Sequence, residues 1–305
     1  MFTRKGLVDR AVTFRGKSPT PFWVTGNRLK QSDVLTYSLA LSKADDPRTS
    51  EWGFPIQKEK TGLLAIPEEA TLKTWKEVDD YTRPQLDTVR RLAGIAKAAQ
   101  VCEDRYRLAT FSLSGFAVYR ALRGKERSRD DALIEPDRFL ELFDSIIEQE
   151  IKMFDMLVRK GFHAVEFCDN WNVDLMKLSL WRCLLKPRYA LQIRNAAELG
   201  LHVWFSCPSA SAEFFGDLLE IGVKVFRIDS PYIADISSIG RQFAGRAAFA
   251  VCLDDLVQDG TVDPNRYCEV RDCLSKNGNG FIGHFTEAVP GKVVDKAVTA
   301  LRKID

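Results

Sequence analysis

Ionisable side chains stand at the ends of a series of apolar runs. The runs span residues 108–114, 163–169, 202–207, 223–229, 247–254 and 280–285. Glu166 and Asp169 close the second run, and Asp254 closes the fifth. A carboxylate in so apolar a run needs water, a ligand or a cation nearby, because a buried unpaired carboxylate is costly or becomes protonated. We predict these three carboxylates as catalytic residues; a simpler interpretation of Asp169 is a cap on the segment that follows it.

A thiol, a carboxylate and an imidazole end three other runs. Cys207 follows the third run, Asp229 ends the fourth, and His284 lies near the end of the sixth. These are the ligand types that zinc prefers, and three protein ligands with one open position are typical of catalytic zinc. We predict a zinc site made of Cys207, Asp229 and His284. The alternatives are a turn at Asp229, before Ser230 and Pro231, and a structural role for Cys207.

Polar residues beside the run ends predict where a substrate would bind. Ser114 ends the first run, and Asn170 and Trp171 follow the second. Arg120 and Arg123 lie in the next amphipathic segment, where they would hold anionic groups or, alternatively, stay solvated.

The order of apolar runs and amphipathic segments indicates parallel strands that alternate with helices. The helical patterns cover 136–161, 186–200 and 211–222, and each reaches a glycine near its end. Six strands from this part and two from the N-terminal part make eight. We therefore predict an α/β fold, a single (β/α)8 TIM-type barrel, and not an open doubly wound sheet. The sequence lacks a Gly-x-Gly-x-x-Gly after the first of the six runs and lacks a Walker loop.

The first 107 residues are less regular and form an N-terminal extension. Residues 22–24 and 33–41 are predicted as strands, 51–66 as a hairpin with a turn ending at Gly62, and 67–107 as helical. We expect one domain, residues 1–305, in which 1–107 complete the barrel and 108–305 form the regular β/α repeats.

Composition excludes several classes of protein. Of 305 residues, 45% are apolar, which is enough for a hydrophobic core. The chain has 44 Lys and Arg and 42 Asp and Glu, so it lacks the excess of positive charge that nucleic-acid binding requires. No run is long enough for a membrane span, and residues 1–6 lack the apolar core of a signal peptide. The seven cysteines form no Cys-x-x-Cys pair, which fits free thiols in a reducing compartment. We expect a cytoplasmic protein that binds neither nucleic acid nor membranes and acts on a small molecule.

Several motifs together resemble the uroporphyrinogen decarboxylase superfamily. They lie in residues 161–207, which contain "KPRY" and end in "HVWFSC", and in "EWG" (51–53), "LKTWKEVDDY" (72–81), "SGFAVYRALRG" (114–124) and "VCLDDLVQDGTVD" (251–263). Their order and spacing cover roughly the whole chain. The "RQAGRYMPEY" segment of the true decarboxylases, which supplies arginines for the substrate's carboxylates, is missing, so the chain is more similar to the corrinoid-linked methyltransferase branch, such as the methylcobamide:coenzyme M methyltransferases.

This resemblance implies a chemistry and a set of ligands. Its methyltransferases bind zinc through His-x-Cys on one strand and a further Cys near the last strand, with an acidic residue from the strand between. Cys207 matches the Cys of that motif, Phe205 stands at the His position, Asp229 matches the acidic ligand, and His284 lies near the last ligand. A methyl-corrinoid, free or on a partner corrinoid protein, would exchange a methyl group with a small molecule.

Three functions follow from the sequence. We favour a corrinoid-dependent methyltransferase, in which zinc presents an acceptor thiolate to the methyl donor. The first alternative is a decarboxylase-like enzyme that acts on a porphyrinogen or another polycarboxylate. The second is a catalytically degenerate barrel that serves as a binding subunit, because Phe205 replaces one zinc ligand of the family.

Overall fold

The computed structural model describes most of the chain. The described residues are 2–26, 30–39, 42–43, 45–58, 64–100, 104–171, 174–207, 213–230, 235–258 and 260–304. No helix in these ranges is both long enough and apolar enough to pass through a membrane.

Eight parallel strands form a nearly closed barrel, as the sequence predicted. They are Phe22–Val24 (β1), Val34–Ser38 (β2), Tyr106–Phe111 (β3), Ala164–Cys168 (β4), His202–Ser206 (β5), Val225–Ile228 (β6), Ala248–Cys252 (β7) and Phe281–Phe285 (β8). The hydrogen-bonded order is β1-β8-β7-β6-β5-β4-β3-β2, with parallel pairing at every step. All carboxyl ends therefore lie on one face, which we call the mouth.

Side chains help to close the seam between β1 and β2. The Phe22 carbonyl accepts from the Asp33 backbone N–H at 2.7 Å, and the Phe22 N–H donates to Asp33 Oδ2 at 2.8 Å. The Val24 N–H donates to Ser32 Oγ at 3.0 Å. Ser32 and Asp33 thus provide hydrogen-bond partners for backbone N–H and carbonyl groups of β1, in place of a directly paired neighbouring strand on this side.

Helices surround the barrel. They span Arg4–Thr13 (α1), Trp75–Asp79 (α2), Val89–Gln100 (α3), Gly115–Arg123 (α4), Lys125–Ile134 (α5), Pro136–Ile151 (α6), Phe154–Arg159 (α7), Leu178–Leu180 (α8), Lys186–Glu198 (α9), Glu213–Glu220 (α10), Ile236–Phe243 (α11), Pro264–Leu274 (α12) and Gly291–Leu301 (α13). A π-helical turn, Trp181–Leu185, joins α8 to α9. The predicted hairpin is present as the pair Gln57–Lys58 and Leu64–Ala65, whereas the predicted turn residue Gly62 lies outside the described residues.

The single long helix predicted over 136–161 is wrong: the structure has two helices there, separated at Lys152 and Met153. The apolar spacing runs through the whole segment, but α6 ends at Ile151 and α7 begins at Phe154. The Met153 N–H donates to the Glu150 carbonyl, three residues back, which tightens the turn and interrupts the α-helical bonding pattern. Gly161 ends the segment with a φ of 74°, a conformation that favours glycine.

Alternate residues of each strand face opposite sides of the barrel wall. The outer set packs against the helices in one large apolar cluster. The inner set forms a second cluster at the amino-terminal end of the barrel, where Val8, Ala11 and Val12 of α1 pack against Trp23 and Trp204. Helix α1 therefore covers this end of the barrel, opposite the mouth.

Two helical glycines provide a matched test of the helix layer. An alanine Cβ at Gly240 of α11 would lie 2.1 Å from the Cys273 carbonyl oxygen of α12, whereas a Cβ at Gly216 of α10 would meet nothing within 4 Å. We expect Gly240→Ala to lower the free energy of unfolding by about 1–3 kcal/mol through overpacking. Gly216→Ala should raise it by about 0.5–1 kcal/mol, because alanine loses less entropy in a helix. Urea denaturation of both variants measures the difference, and a loss at Gly216 or a gain at Gly240 would contradict the packing of α10 or α11 described here.

Candidate active site

A layer of polar side chains crosses the barrel interior near the mouth. We call it the polar layer; it consists of Thr110 (β3), Glu166 (β4), Ser206 (β5), Arg227 (β6) and His284 (β8), and all five residues are at most 8% exposed. These positions alternate along their strands with bulky apolar residues that face the helices, so the pleat of each strand turns the polar side chain inward.

Arg227 binds two carboxylates, one in this layer and one next to it. Its Nη1 donates to Glu166 Oε1 at 2.9 Å, and its Nε donates to Asp229 Oδ1 at 2.9 Å. Thr110 Oγ1 also donates to Glu166, at 3.1 Å. Burial raises the pKa of Glu166, and the positive charge of Arg227 opposes that rise. Burial alone would lower the pKa of Arg227, but Glu166 and Asp229 raise it above its usual value, so the guanidinium stays charged.

His284 lies in the same layer and stacks on an aromatic ring. It is 3% exposed, its ring centroid lies 4.0 Å from that of the Trp23 indole, and neither ring nitrogen has a hydrogen-bond partner among the described residues. Burial, together with the charge of Arg227, holds the pKa of His284 well below its usual value, so the imidazole is neutral.

Other polar atoms in and next to the layer are also unpartnered. Within the described part of the chain, Ser206 Oγ and Arg227 Nη2 of the layer, and Oδ2 of the adjoining Asp229, are buried and have no hydrogen-bond partner. A buried unsatisfied polar group costs about 1–3 kcal/mol of stability. Several such groups in one place indicate a functional role, because they lower the stability of the fold. The layer therefore has the character of a site that completes its hydrogen bonds with a ligand or with water.

Three carboxylates lie on one side of the mouth, just beyond the ends of β6 and β7. Asp229 follows β6, and Asp254 and Asp255 follow β7; we call these three residues the acidic side. Asp254 Oδ1 accepts from the Thr286 N–H at 3.0 Å, and Asp255 Oδ2 accepts from Ser230 Oγ. Burial raises the pKa of the nearby Cys252 thiol to about 12, and the charges of all three carboxylates add to that rise. The predicted catalytic residues Glu166 and Asp254 thus lie in the layer and at the mouth, respectively.

Asp169, the third predicted catalytic carboxylate, lies in the helix layer instead. It is 3% exposed, and it accepts from the backbone N–H groups of Phe116 (3.2 Å) and Ala117 (2.7 Å) and from the Tyr189 hydroxyl. Burial raises the pKa of Asp169 to about 7, against these hydrogen bonds. Its position follows from the pleat, because Val165 and Phe167, four and two residues earlier, also face the helices. Asp169 holds the amino-terminal turn of α4 in place.

The predicted substrate-binding residues are engaged with other parts of the protein. Ser114 Oγ donates to the Cys168 carbonyl at 3.1 Å. Arg120 Nη1 donates to the Asn170 carbonyl at 2.9 Å and to Asn170 Oδ1 at 2.7 Å, and burial lowers the pKa of Arg120. Trp171 is fully buried among aromatic rings. Of these four, Asn170 keeps an exposed part beside the mouth.

Arg123 is a structural residue of the helix layer rather than a substrate ligand. Its Nε and Nη2 donate to the two carboxylate oxygens of Asp131 at 2.7 and 2.9 Å, and its Nη1 donates to the Leu72 carbonyl at 2.8 Å. With its donors bound and its guanidinium stacked over Trp75, it has no free face for an anionic substrate.

The three predicted zinc ligands are not brought together. Cys207 Sγ donates to the Trp171 carbonyl at 3.2 Å and accepts from the Trp171 N–H at 3.3 Å, because Cys207 continues the outward-facing set of Val203 and Phe205. Asp229 is bound to Arg227, and β7 separates β6 from the strand of His284. In the ranges that the structure describes, no three His, Cys, Asp or Glu side chains could hold a metal ion. The described residues therefore do not fit a zinc ion.

Sequence reasoning missed Arg227, which is the centre of the layer. The signal was present, since Arg227 is a charged residue between Phe226 and Ile228 in the apolar run 223–229. Thr110 and Ser206 were missed because hydroxyl residues are common in strands and carry no specific signal.

Comparison with known proteins gives the fold. No family model and no curated protein matches the sequence. A methyltransferase from Methanosarcina mazei has a similar structure, with a TM-score of 0.67 and 13% sequence identity, and the match covers 100% of this chain and 99% of that one. Morphinone reductase matches with a TM-score of 0.45 and 10% identity over 88% of this chain and 80% of that one. A 3-keto-L-gulonate-6-phosphate decarboxylase from Vibrio cholerae matches with a TM-score of 0.40 and 9% identity over 70% of this chain and 78% of that one. At these identities the likeness concerns the barrel and leaves the reaction open.

Proposed function

We propose that this chain is a methyltransferase that moves a methyl group between a methyl-corrinoid and a small molecule bound over the polar layer. The carrying observation is the layer together with the carboxylate next to it: a neutral His284 of the layer and an Asp229 held by Arg227 present polar atoms that have no partner among the described residues. The full-length fold similarity to a methyltransferase and the motif resemblance support the same proposal.

Methyl transfer needs an acceptor that gives up a proton. When the acceptor is written as X–H, its lone pair forms the bond to the methyl carbon, and the bond from that carbon to the donor breaks with its electron pair left on the donor. The proton of X–H passes to Asp229, whose Oδ2 is unpartnered, while Arg227 keeps the carboxylate in place through Oδ1. His284 contributes a second hydrogen-bonding group to orient the acceptor. The corrinoid supplies the methyl group as a substrate, from free solution or from a partner protein.

The charges of the site weigh against the decarboxylase alternative. A polycarboxylate would require free arginines, but Arg123 is bound to Asp131 and Arg120 to Asn170. The mouth would also place Asp229, Asp254 and Asp255 against its carboxylates. The binding-subunit alternative differs from our proposal only in its outcome, since it predicts ligand binding without methyl transfer.

The proposal is tested by methyl transfer from methylcobalamin to a panel of thiols and amines, followed by mass spectrometry of the products. We expect methylated product, and we expect Asp229→Asn to lower its rate by about 100-fold or more, the usual effect of losing a proton acceptor. Asp272→Asn, at an exposed carboxylate of α12 that pairs with its neighbour Arg271, should keep the wild-type rate. A panel without product, or an Asp229→Asn rate equal to the wild-type rate, would contradict the proposal.

A further inference from the structure

The charge balance of the mouth differs from one side to the other. The acidic side carries Asp229, Asp254 and Asp255, and below it the polar layer adds Glu166. Arg227 is the cation that balances this group, and it already serves both Glu166 and Asp229. Over the described part of the chain, Asp254 and Asp255 make no ion pair with Lys, Arg or His; their partners are Thr286 and Ser230. Among the described residues, four carboxylates in this group therefore share one guanidinium.

The opposite side of the mouth presents hydroxyl and amide groups. Ser38 Oγ, at the end of β2, lies 3.1 Å from Ser112 Oγ, after β3, and the Asn170 amide follows β4. Arg120 stands beneath Asn170 and is bound to it. The hydroxyl and amide groups on this side can bind a polar uncharged part of a ligand, so the charged part belongs on the acidic side.

A second observation points to a ligand next to the acidic side. His284 pairs in strand register with Cys252, two residues before Asp254, and it is 97% buried; among the described residues neither ring nitrogen has a hydrogen-bond partner. A neutral imidazole at this place can accept a hydrogen bond from a cationic N–H or pack against an alkylammonium without repulsion.

We infer that the small substrate carries an organic cation, such as a protonated amine or an alkylammonium, and that its charge sits over Asp229 on the acidic side. This inference rests on the proposed function for the identity of the reaction but concerns the binding of the substrate alone. A carboxylate or phosphate in the same place would meet three carboxylates. A divalent metal ion is not favoured as the cation, because the described residues form no cluster of three ligands for one.

A set of three isosteres tests the charge directly. Choline, 3,3-dimethylbutan-1-ol and 3,3-dimethylbutanoate present a cationic, a neutral and an anionic version of nearly the same shape, and calorimetric titration measures their binding to the full chain. We expect choline to bind at least about tenfold more tightly than the neutral alcohol and the anion to bind most weakly, with the choline preference reduced by added salt. Equal binding of choline and the alcohol, tighter binding of the anion, or no binding of any of the three overturns the inference.

Variants locate the effect. Asp229→Asn should remove most of the preference for choline over the alcohol, and Asp255→Asn, at an exposed position that leaves the Arg227 contacts intact, should reduce it. Asp272→Asn should leave the preference unchanged. A preference that survives both mouth variants overturns the placement of the charge. A protein that prefers choline but never transfers a methyl group contradicts only the proposed function, and a protein that transfers methyl groups while binding choline and the alcohol equally contradicts only this inference.

Discussion

Replacing Arg227 by leucine should lower the free energy of unfolding by about 3–5 kcal/mol, the usual loss when one partner of a buried ion pair is removed. Leucine removes the Arg227 hydrogen bonds to Asp229 and to Glu166, which is fully buried. Thr110 still donates to Glu166. The loss should grow as the pH rises from 5 to 8, because a buried carboxyl with a raised pKa stabilises the fold only while it is protonated. Urea denaturation at both pH values measures it.

Two controls separate this ion pair from a general effect of losing an arginine. Arg129→Leu removes an exposed pair with Asp130 and should change stability by less than about 0.5 kcal/mol. Adding Glu166→Gln to Arg227→Leu should recover part of the loss, since a neutral amide can still accept from Thr110 and carries no buried charge. A loss below about 1 kcal/mol for Arg227→Leu, or no recovery in the double variant, would show that Glu166 is not ionised against Arg227.

The strands of the barrel were predictable from the sequence, because each is a short apolar run and a glycine commonly precedes it. The side on which each residue lies was less obvious. Residues of one strand alternate between the barrel interior and the helix layer, so a shift of one position moves a side chain from the site to the core. Glu166 and His284 face the interior, whereas Asp169 and Cys207 belong to the outward set.

The bulky residues of each run contain the information that would have made this distinction. In β4, Val165 and Phe167 are the large apolar residues that a helix layer requires, and Asp169 continues their alternation. The same reasoning applies to Phe205 and Cys207 on β5. What alternation does not reveal is the partner of each inward residue, since Glu166 and Arg227 are 61 positions apart and meet across an intervening strand. The zinc prediction relied on such a convergence, and strand order does not provide it.

The second large effect that we expect lies in the helix layer, at a carboxyl that no motif or spacing in the sequence singles out. Glu150 of α6 is 1% exposed; its Oε1 accepts from the Gly115 N–H at 3.0 Å, and its other oxygen contacts the Gln192 amide. Burial raises the pKa of Glu150 from 4.5 to about 8, against both hydrogen bonds, and the charge of nearby Asp169 adds to the rise. With the proton on Glu150, the unpartnered Gln192 Oε1 becomes an acceptor for it if that amide turns over.

Glu150→Gln should therefore stabilise the protein on the order of 3–4 kcal/mol at pH 8 and by less than about 1 kcal/mol at pH 5. The wild-type carboxyl stabilises the fold fully below its unfolded pKa, and that contribution is lost as the pH rises through about 8. Glutamine keeps an oxygen for the Gly115 N–H and offers a donor to Gln192 at every pH, so the variant should be less sensitive to pH than the wild type. Free energies of unfolding in urea at pH 5, 6.5 and 8 measure this, with Glu148→Gln, an exposed position on the same helix, as the matched control. A Glu150→Gln variant that is no more stable than the wild type at pH 8 would mean that Glu150 is ionised in the fold, and the hydrogen bonds at the start of α4 would then be the stronger influence on its charge.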